Sequence, residues 1–462
     1  MKKLFTFVSA LVLTIGLQAA KLDTIQVDGI YYQINAEDSI ATLIRSNVSS
    51  KYEKDTIVIP VSVSKEDREY PVVALGQGAL RNTTAKAIIF AEGSQVKELG
   101  MQAFQAAVNV QELELPEGVQ LIPLTGIHNA TAASPMQMKK LVLPSTVDSL
   151  ALFSICLPQL QTLEFKGLVP PSIATKETAT WTQNPWQIST TNVCNTDTNA
   201  VVIVPDGALE AYKNTAWIGD YFKTIVEKSN YLEVATIAEF NAAEDGKTVK
   251  LTLTDAKVTA YADLQKVYYV EDTTAATVIY GAELTVGTAL NGYIVGTKST
   301  NEVDYINDPS VAVEPMLTAI DTTRFVATET ELTPTVMTIA EACAQENYAK
   351  LITIENLTAT ASGRNQILTD EAENTIKARD LFGVLALDYE WPEAIESITG
   401  ICLYYMNGWY IIPTSEEGIV AKEEQGVEDV EVNGKAVKFL ENGQLYIMYK
   451  GVKYNVQGMI IR

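Results

Sequence analysis

Leu113-Glu114-Leu115-Pro116, Leu141-Val142-Leu143-Pro144 and Leu163-Glu164-Phe165 are one phrase written three times. Each reads apolar–any–apolar, usually followed by proline. Upstream it is echoed as Ile57-Val58-Ile59-Pro60 and Ile88-Ile89-Phe90, and downstream as Val202-Ile203-Val204-Pro205. From Ile88 through Leu113, Leu141 and Leu163 the spacings are 25, 28 and 22 residues. A second phrase follows: Leu75-Gly76-Gln77-Gly78-Ala79-Leu80, then Leu99-Gly100-Met101-Gln102-Ala103-Phe104, then Leu150-Ala151-Leu152-Phe153. Self-similarity at a period of roughly 20–30 residues marks a solenoid.

The physics of the phrase is simple. Successive side chains of a strand point to opposite faces, so Leu113 and Leu115 point one way and Glu114 the other. One coil cannot bury that apolar pair by itself, but stacked coils can, each touching its neighbours. Proline cannot donate to a ladder and so ends the strand. The Leu-Gly-x-x-Ala-Phe phrase is expected as the return turn, with its Phe closing the core.

The run Val27-Asp28-Gly29-Ile30-Tyr31-Tyr32, then Ile57–Pro60, then Tyr70-Pro71-Val72-Val73-Ala74-Leu75-Gly76, resembles the start of a BspA-type leucine-rich repeat protein. The ending is similar too: Gly167-Leu168-Val169-Pro170-Pro171, then Val202–Ala208, Tyr212-Lys213 and Trp217. The resemblance covers residues 21–230 and implies a protein exported by Bacteroidetes and other host-associated microbes. Adhesion to host or bacterial surfaces is the activity it implies. The repeat blurs over Leu121–Lys140, and residues 172–200 read as an insertion.

Met1–Ala20 has the grammar of a signal peptide. Lys2 and Lys3 precede the 14-residue apolar run Leu4–Leu17, and Gln18-Ala19-Ala20 supplies small residues for cleavage. The run is too short to anchor in a membrane, and no cysteine follows it as a lipobox would require. No later stretch reaches the length of an apolar span. Without Lys2 and Lys3, 32 basic residues face 57 acidic ones, a formal charge of −25. Such a surface repels phosphate backbones and anionic membranes. The 47% hydrophobic content is enough for ordinary cores.

After Glu227 the composition turns to Val, Thr and Tyr with Gly turns. Five strands are expected at Lys250–Thr254, Lys266–Asp272, Ala276–Tyr280, Leu284–Gly287 and Asn291–Gly296, as in a small closed barrel. The unit recurs about 100 residues on. Thr236-Ile237-Ala238-Glu239-Phe240 returns as Thr338-Ile339-Ala340-Glu341-Ala342, and Ile367-Leu368-Thr369-Asp370 answers Tyr269-Val270-Glu271-Asp272. The two copies, residues 231–335 and 336–421, resemble tandem OB-fold modules of secreted Bacteroidetes proteins. Pro309–Pro334 reads as the linker between them. Residues 422–462, with turns at Asn442-Gly443 and Lys450-Gly451, form a short β tail. It resembles a C-terminal sorting or anchoring domain; a meander packed on the second barrel is the alternative.

The expected fold is therefore mainly β: a leucine-rich-repeat solenoid, two small OB-like barrels and a short C-terminal β tail. Catalysis has little to stand on. His128 is the only histidine, in an irregular stretch, and neither a nucleophile elbow nor a phosphate loop occurs. No cofactor pattern is present, no CxxC pair points to zinc, and Asp304–Asp308 lacks EF-hand spacing for calcium. For the four cysteines the within-domain pairings are Cys156–Cys194 and Cys343–Cys402, with buried free thiols as the alternative. The barrels carry aromatics, among them Tyr268, Tyr269, Tyr280, Tyr293, Tyr404, Tyr405, Trp409 and Tyr410, but only six basic residues between 236 and 335. Nucleic acid is thus not expected as a partner, and a glycan suits the aromatics better. The expected activity is binding, not catalysis, with a host or bacterial surface protein as partner. Glycan capture by the barrels is one alternative and a structural spacer another. Candidate partner-binding positions are the outward Glu114, Val142, Glu164 and Ile203, with Trp181 and Trp186 as aromatic anchors or, alternatively, as caps of the last coil.

Overall fold

The computed structural model describes residues 23–49, 51–128, 134–174, 185–186, 195–301, 313–406, 408–422, 436–441 and 443–461. The expected signal peptide, Trp181, Cys194 and Asp304–Asp308 lie outside them. One compact unit holds the described residues up to Glu331, apart from Ala262–Leu264 and Val313; the other holds the rest.

The first unit opens with a sheet built mainly of antiparallel strands, Asp23–Val27, Ile30–Asn35, Ile40–Leu43, Arg68–Leu75 and Ser62–Lys65 in spatial order. Six short strands then carry the repeated phrase, and a seventh extends their ladder. They are β1 (Thr56–Ile59), β2 (Ala87–Phe90), β3 (Glu112–Glu114), β4 (Lys140–Leu143), β5 (Thr162–Phe165), β6 (Val201–Val204) and β7 (Thr224–Glu227). β1 pairs with β2, and β3 to β7 pair in chain order, all parallel. Leu113, Leu141, Leu163 and Val202 stack in register as one buried row. Four of the strands, β1, β3, β4 and β6, run into a proline. The carbonyls of Pro116, Pro144 and Pro205 accept from the N–H groups of Val119, Val147 and Ala208, turning the chain.

Two further parallel ladders run beside this one. Leu121–Ile122, Ser149–Ala151 and Ser172–Ala174 form the first; Ile127–His128 and Ile155–Cys156 form the second. The Leu121–Lys140 stretch is therefore not irregular throughout, since it supplies a strand to each. His128 is buried in strand pairing opposite Cys156 and does not sit in a loop. The return turns stack as well. Gly78, Leu80 and Asn82 donate their N–H groups to the carbonyls of Met101, Ala103 and Gln105 on the next turn. The glycine of the return phrase follows from that closeness. A Cβ on Gly100 would lie 2.4 Å from the Gln77 nitrogen and 2.5 Å from the Gly76 carbonyl carbon. Helices Leu209–Lys213 and Ala216–Gly219 finish the stack. The buried Tyr212 donates its hydroxyl to the Gly167 carbonyl at 2.8 Å.

The same unit contains a closed barrel of β8 (Thr248–Ala262), β9 (Val267–Glu271), β10 (Ala276–Tyr280), β11 (Thr288–Asn301) and β12 (Glu314–Asp321). Its order is β8-β9-β10-β12-β11, closed by β11 on β8, and only β10 and β12 run parallel. The second unit repeats the plan with β13 (Leu351–Ser362), β14 (Asn365–Thr369), β15 (Thr375–Ala378), β16 (Ala394–Tyr404) and β17 (Trp409–Pro413). Two expectations need correction. Leu284–Gly287 is not a strand, and the fifth strand of the first barrel, Glu314–Asp321, comes from the Pro309–Pro334 stretch read as a linker. Its prolines gave the wrong impression because Pro315 sits near the start of the strand, where a missing N–H is tolerated, and its carbonyl still accepts from Thr277 at 3.0 Å.

The duplicated Thr-Ile-Ala-Glu phrase proves to be a helix start. The hydroxyls of Thr236 and Thr338 accept from the N–H groups of Glu239 and Glu341, which open one-turn helices Ile237–Ala242 and Ile339–Ala342. Each helix plugs its barrel, with Ile237 and Phe240 in one core and Ile339 and Ala342 in the other. Cys343 and Cys402 are free thiols. Cys402 is buried and donates to the Ala342 carbonyl at 3.1 Å, and burial pushes the Cys343 thiol up to about 11. The Cys343–Cys402 pairing is thus not formed, whereas Cys156 is disulfide-bonded. The tail strands Val437–Glu441, Gln444–Tyr449 and Val452–Asn455 form an antiparallel meander with no buried residue.

Two outcomes follow for stability. Leu113→Ala or Leu141→Ala is expected to cost about 2–5 kcal/mol. Glu114→Ala is expected to cost under about 1 kcal/mol, since its ion pair is at the surface. Equal costs in urea unfolding would contradict the strand register. Gly100→Ala is expected to lower stability by at least about 1–3 kcal/mol, because backbone and not a movable side chain meets the methyl group. A neutral result in the same titration would show that the turns are not stacked this closely.

Candidate functional site

The outward face of the parallel strands carries two side-chain rows fixed by register. One row is Glu112, Lys140, Thr162, Val201 and Thr224; the other is Glu114, Val142, Glu164, Ile203 and Val226. On the separate ladder of β1 and β2, Val58 and Ile89 stand as register partners at the equivalent outward positions. Inward residues of β3 to β6 are core, as the alternation expects, whereas at β7 Ile225 and Glu227 are only half-buried. Outward does not mean exposed, however, and the difference shapes the site.

At the β7 end the face is covered. Val201, Ile203 and Val226 form one apolar cluster with Tyr293 and Val295 from β11 of the first barrel. Polar contacts lock this junction. Arg324 reaches Asp197 at 2.6 Å and Asp321 at 3.2 Å, and Lys250 Nζ donates to Gln161 at 3.1 Å while lying 4.8 Å from the Tyr293 ring centre. Burial here pushes the Tyr293 hydroxyl up to about 12. In the middle of the face, charges are paired within it: Lys228 with Glu164 at 2.5 Å and Lys166 with Glu114 at 2.5 Å.

At the β1 end nothing in the described chain covers the strands. Val58 and Ile89 are 53% and 50% exposed, a high value for aliphatic side chains on strands. β2 and β3 are neighbours but belong to different ladders. Between them lies a groove of about 570 Å³, lined by β2, Gly93, Ser94, Glu112, Glu114, Pro116, Glu117 and Lys166. A smaller hollow of about 270 Å³ continues over Lys140, Val142, Glu164 and Lys228.

The six candidate residues therefore have different fates. Glu114 is exposed on the rim of the groove. Val142 and Glu164 line the floor of the smaller hollow but are largely buried there, and Ile203 is covered by the first barrel. Trp186 is fully buried, donates its indole N–H to the Trp217 carbonyl at 2.7 Å and packs on Phe222 at 5.1 Å. It acts as a cap and not as an exposed anchor. Trp181 lies outside the described residues. Sequence reasoning passed over Val58, Ile89 and Lys166. The all-apolar phrases Ile57-Val58-Ile59 and Ile88-Ile89-Phe90 held the signal, because a middle position facing water is ordinarily polar. Among the described residues no group of His, Cys, Asp or Glu is placed to hold a metal ion, and no helix is long and apolar enough to cross a membrane.

No protein-family model matches the chain, and no curated protein does. Solved structures similar to it include leucine-rich repeat proteins. One from Bacteroides capillosus is 24% identical, covering 31% of this chain and 99% of its own, with a TM-score of 0.25. One from Bacteroides ovatus is 15% identical over 46% of this chain and 47% of its own, with a TM-score of 0.24. A leucine rich cell surface protein from Faecalibacterium prausnitzii is 13% identical over 56% of this chain and 60% of its own, with a TM-score of 0.20.

The junction makes a prediction about truncation. A fragment ending at residue 230 exposes Val201, Ile203 and Val226, whereas one ending at residue 331 keeps them covered. The shorter fragment is expected to melt at lower temperature and to bind a hydrophobic dye. Equal melting of the two in scanning calorimetry would mean that the barrel adds nothing to the stack.

Proposed function

We propose that this chain is an exported cell-surface protein that binds other proteins through the outward face of its parallel strands. In this reading the ladders are the walls of one BspA-like leucine-rich-repeat solenoid, and adhesion to a host or bacterial surface is its role. The observation that carries it is the uncovered β1–β3 end of the face, with Ile89 exposed beside the carboxylates of Glu112, Glu114 and Glu117 and its register partner Val58 exposed on the far side. A stacked ladder is stiff, so docking on it loses little conformational entropy. A mixed apolar and acidic strip fits a protein partner better than a phosphate-rich one.

A second reading has an observation of its own. The barrels share the strand order of OB-folds, whose loop between strands four and five contacts oligosaccharides. In the second barrel that turn carries Tyr404 and Trp409, 5.5 Å apart, and Tyr405 beside Tyr410 at 5.5 Å, with Met406 exposed. Under it the protein captures glycans, and the β tail serves sorting or anchoring.

Parallel arrays of surface proteins and of glycans, probed with residues 21–462, separate the two. The protein reading expects protein hits weakened about tenfold or more by Ile89→Asp, a change of about 1.4 kcal/mol, and untouched by Trp409→Ala. Glycan hits abolished by Trp409→Ala and indifferent to Ile89→Asp would overturn it in favour of the second.

A further inference from the structure

The covered end of the face shows how this surface is used. Where its outward residues are apolar, at Val201, Ile203 and Val226, a β-strand lays Tyr293 and Val295 on them. Val58 and Ile89 are the same kind of residue at the other end of the same face, and they are open. The groove beside them is unequal in charge. Three carboxylates, Glu112, Glu114 and Glu117, line it against one ammonium, Lys166. Lys166 is already engaged, 2.5 Å from Glu114. Glu117 accepts from the Ser145 N–H and hydroxyl at 3.2 and 2.8 Å, contacts that hold its carboxylate in place without neutralising it. No ion pair satisfies Glu112 among the described residues. Lys140, the register partner of Glu112, lines the neighbouring hollow, so within the groove itself three carboxylates meet one ammonium that is already engaged, next to Ile89 and, one strand further on, Val58.

Deepening the protein-binding reading and resting on it, we propose that the groove between β2 and β3 docks an extended, cationic segment of a partner protein. An aliphatic or aromatic side chain of that segment packs on Val58 and Ile89. Its lysines or arginines pair with Glu112, Glu114 and Glu117. Extended backbone suits the site because side chains alternate in a strand, so one set reaches the apolar pair while flanking residues reach the rim. A chain of formal charge −23 also draws such a segment from a distance. Nucleic acid and anionic lipid carry the wrong sign, and a neutral glycan leaves the carboxylates unpaired.

The test uses residues 21–462 and fluorescein-labelled peptides that alternate lysine with leucine. Control peptides replace every lysine by glutamate, or every leucine by serine. Anisotropy is expected to show binding of the lysine–leucine peptide only. Glu112→Lys with Glu117→Lys is expected to weaken it about tenfold at low salt, with the difference shrinking at high salt. Ile89→Asp and the milder Ile89→Ser are expected to weaken it at both salt levels, and Ile89 is exposed enough for either variant to fold. Glu371→Lys, an exposed charge change in the second unit, is expected to have far less effect. Equal losses from Glu371→Lys and the groove variants would reduce the binding to bulk charge and overturn the proposal. So would equal binding of the serine peptide. If array partners depend on Ile89 while no cationic peptide binds, the protein-binding face stands and the cationic occupant falls.

Discussion

Everything in the first unit depends on how closely one repeat stacks on the next. Leu113, Leu141, Leu163 and Val202 are neighbours only because their backbones are hydrogen-bonded in register, and that spacing leaves no room for a side chain at Gly100. Hydrophobic burial here is a property of the pile and not of any one turn. Gly100, the strand-ending prolines and the inward leucines all serve that close parallel stacking.

That demand has a consequence on the other face. A regular stack presents its outward residues as straight rows, and the chain uses the two ends of those rows differently. At the β7 end the rows turn apolar and meet Tyr293 and Val295, so stack and barrel share a small core reinforced by Arg324 between Asp197 and Asp321. In the middle, Lys166 and Lys228 hold Glu114 and Glu164 in pairs. At the β1 end, apolar side chains and carboxylates are left to solvent. The proposed binding face lies there, since a surface residue buried inside its own chain has no partner left to find.

The barrels show a duplicated plan supported by local chemistry. Each begins with a threonine cap and a short helix that fills the barrel end, and each contains one parallel strand pair and closes through an antiparallel one. They differ in what surrounds them. The first barrel uses the outer surface of β11 to cover the stack, while the second keeps the aromatic turn of Tyr404, Tyr405 and Trp409.

The sequence by itself determined the β class, the repeat and its inward residues, because alternation and spacing are local and each leucine reports its own face. It also held the duplication of the barrels, although the Thr-Ile-Ala-Glu phrase that marked it was legible further, as a helix cap. What only the tertiary structure decided is which outward residues remain free. Val142, Glu164 and Ile203 follow the same alternation as Glu114, yet the three are buried. The Ile203 end is covered by Tyr293 and Val295, about ninety residues further along the chain. The strand Glu314–Asp321 was hidden for a like reason: its prolines argue locally for a loop, and its pairing with β10 and β11 overrules them. Alternation states which way a side chain points. Exposure depends on what the rest of the chain lays over it, and no local pattern carries that.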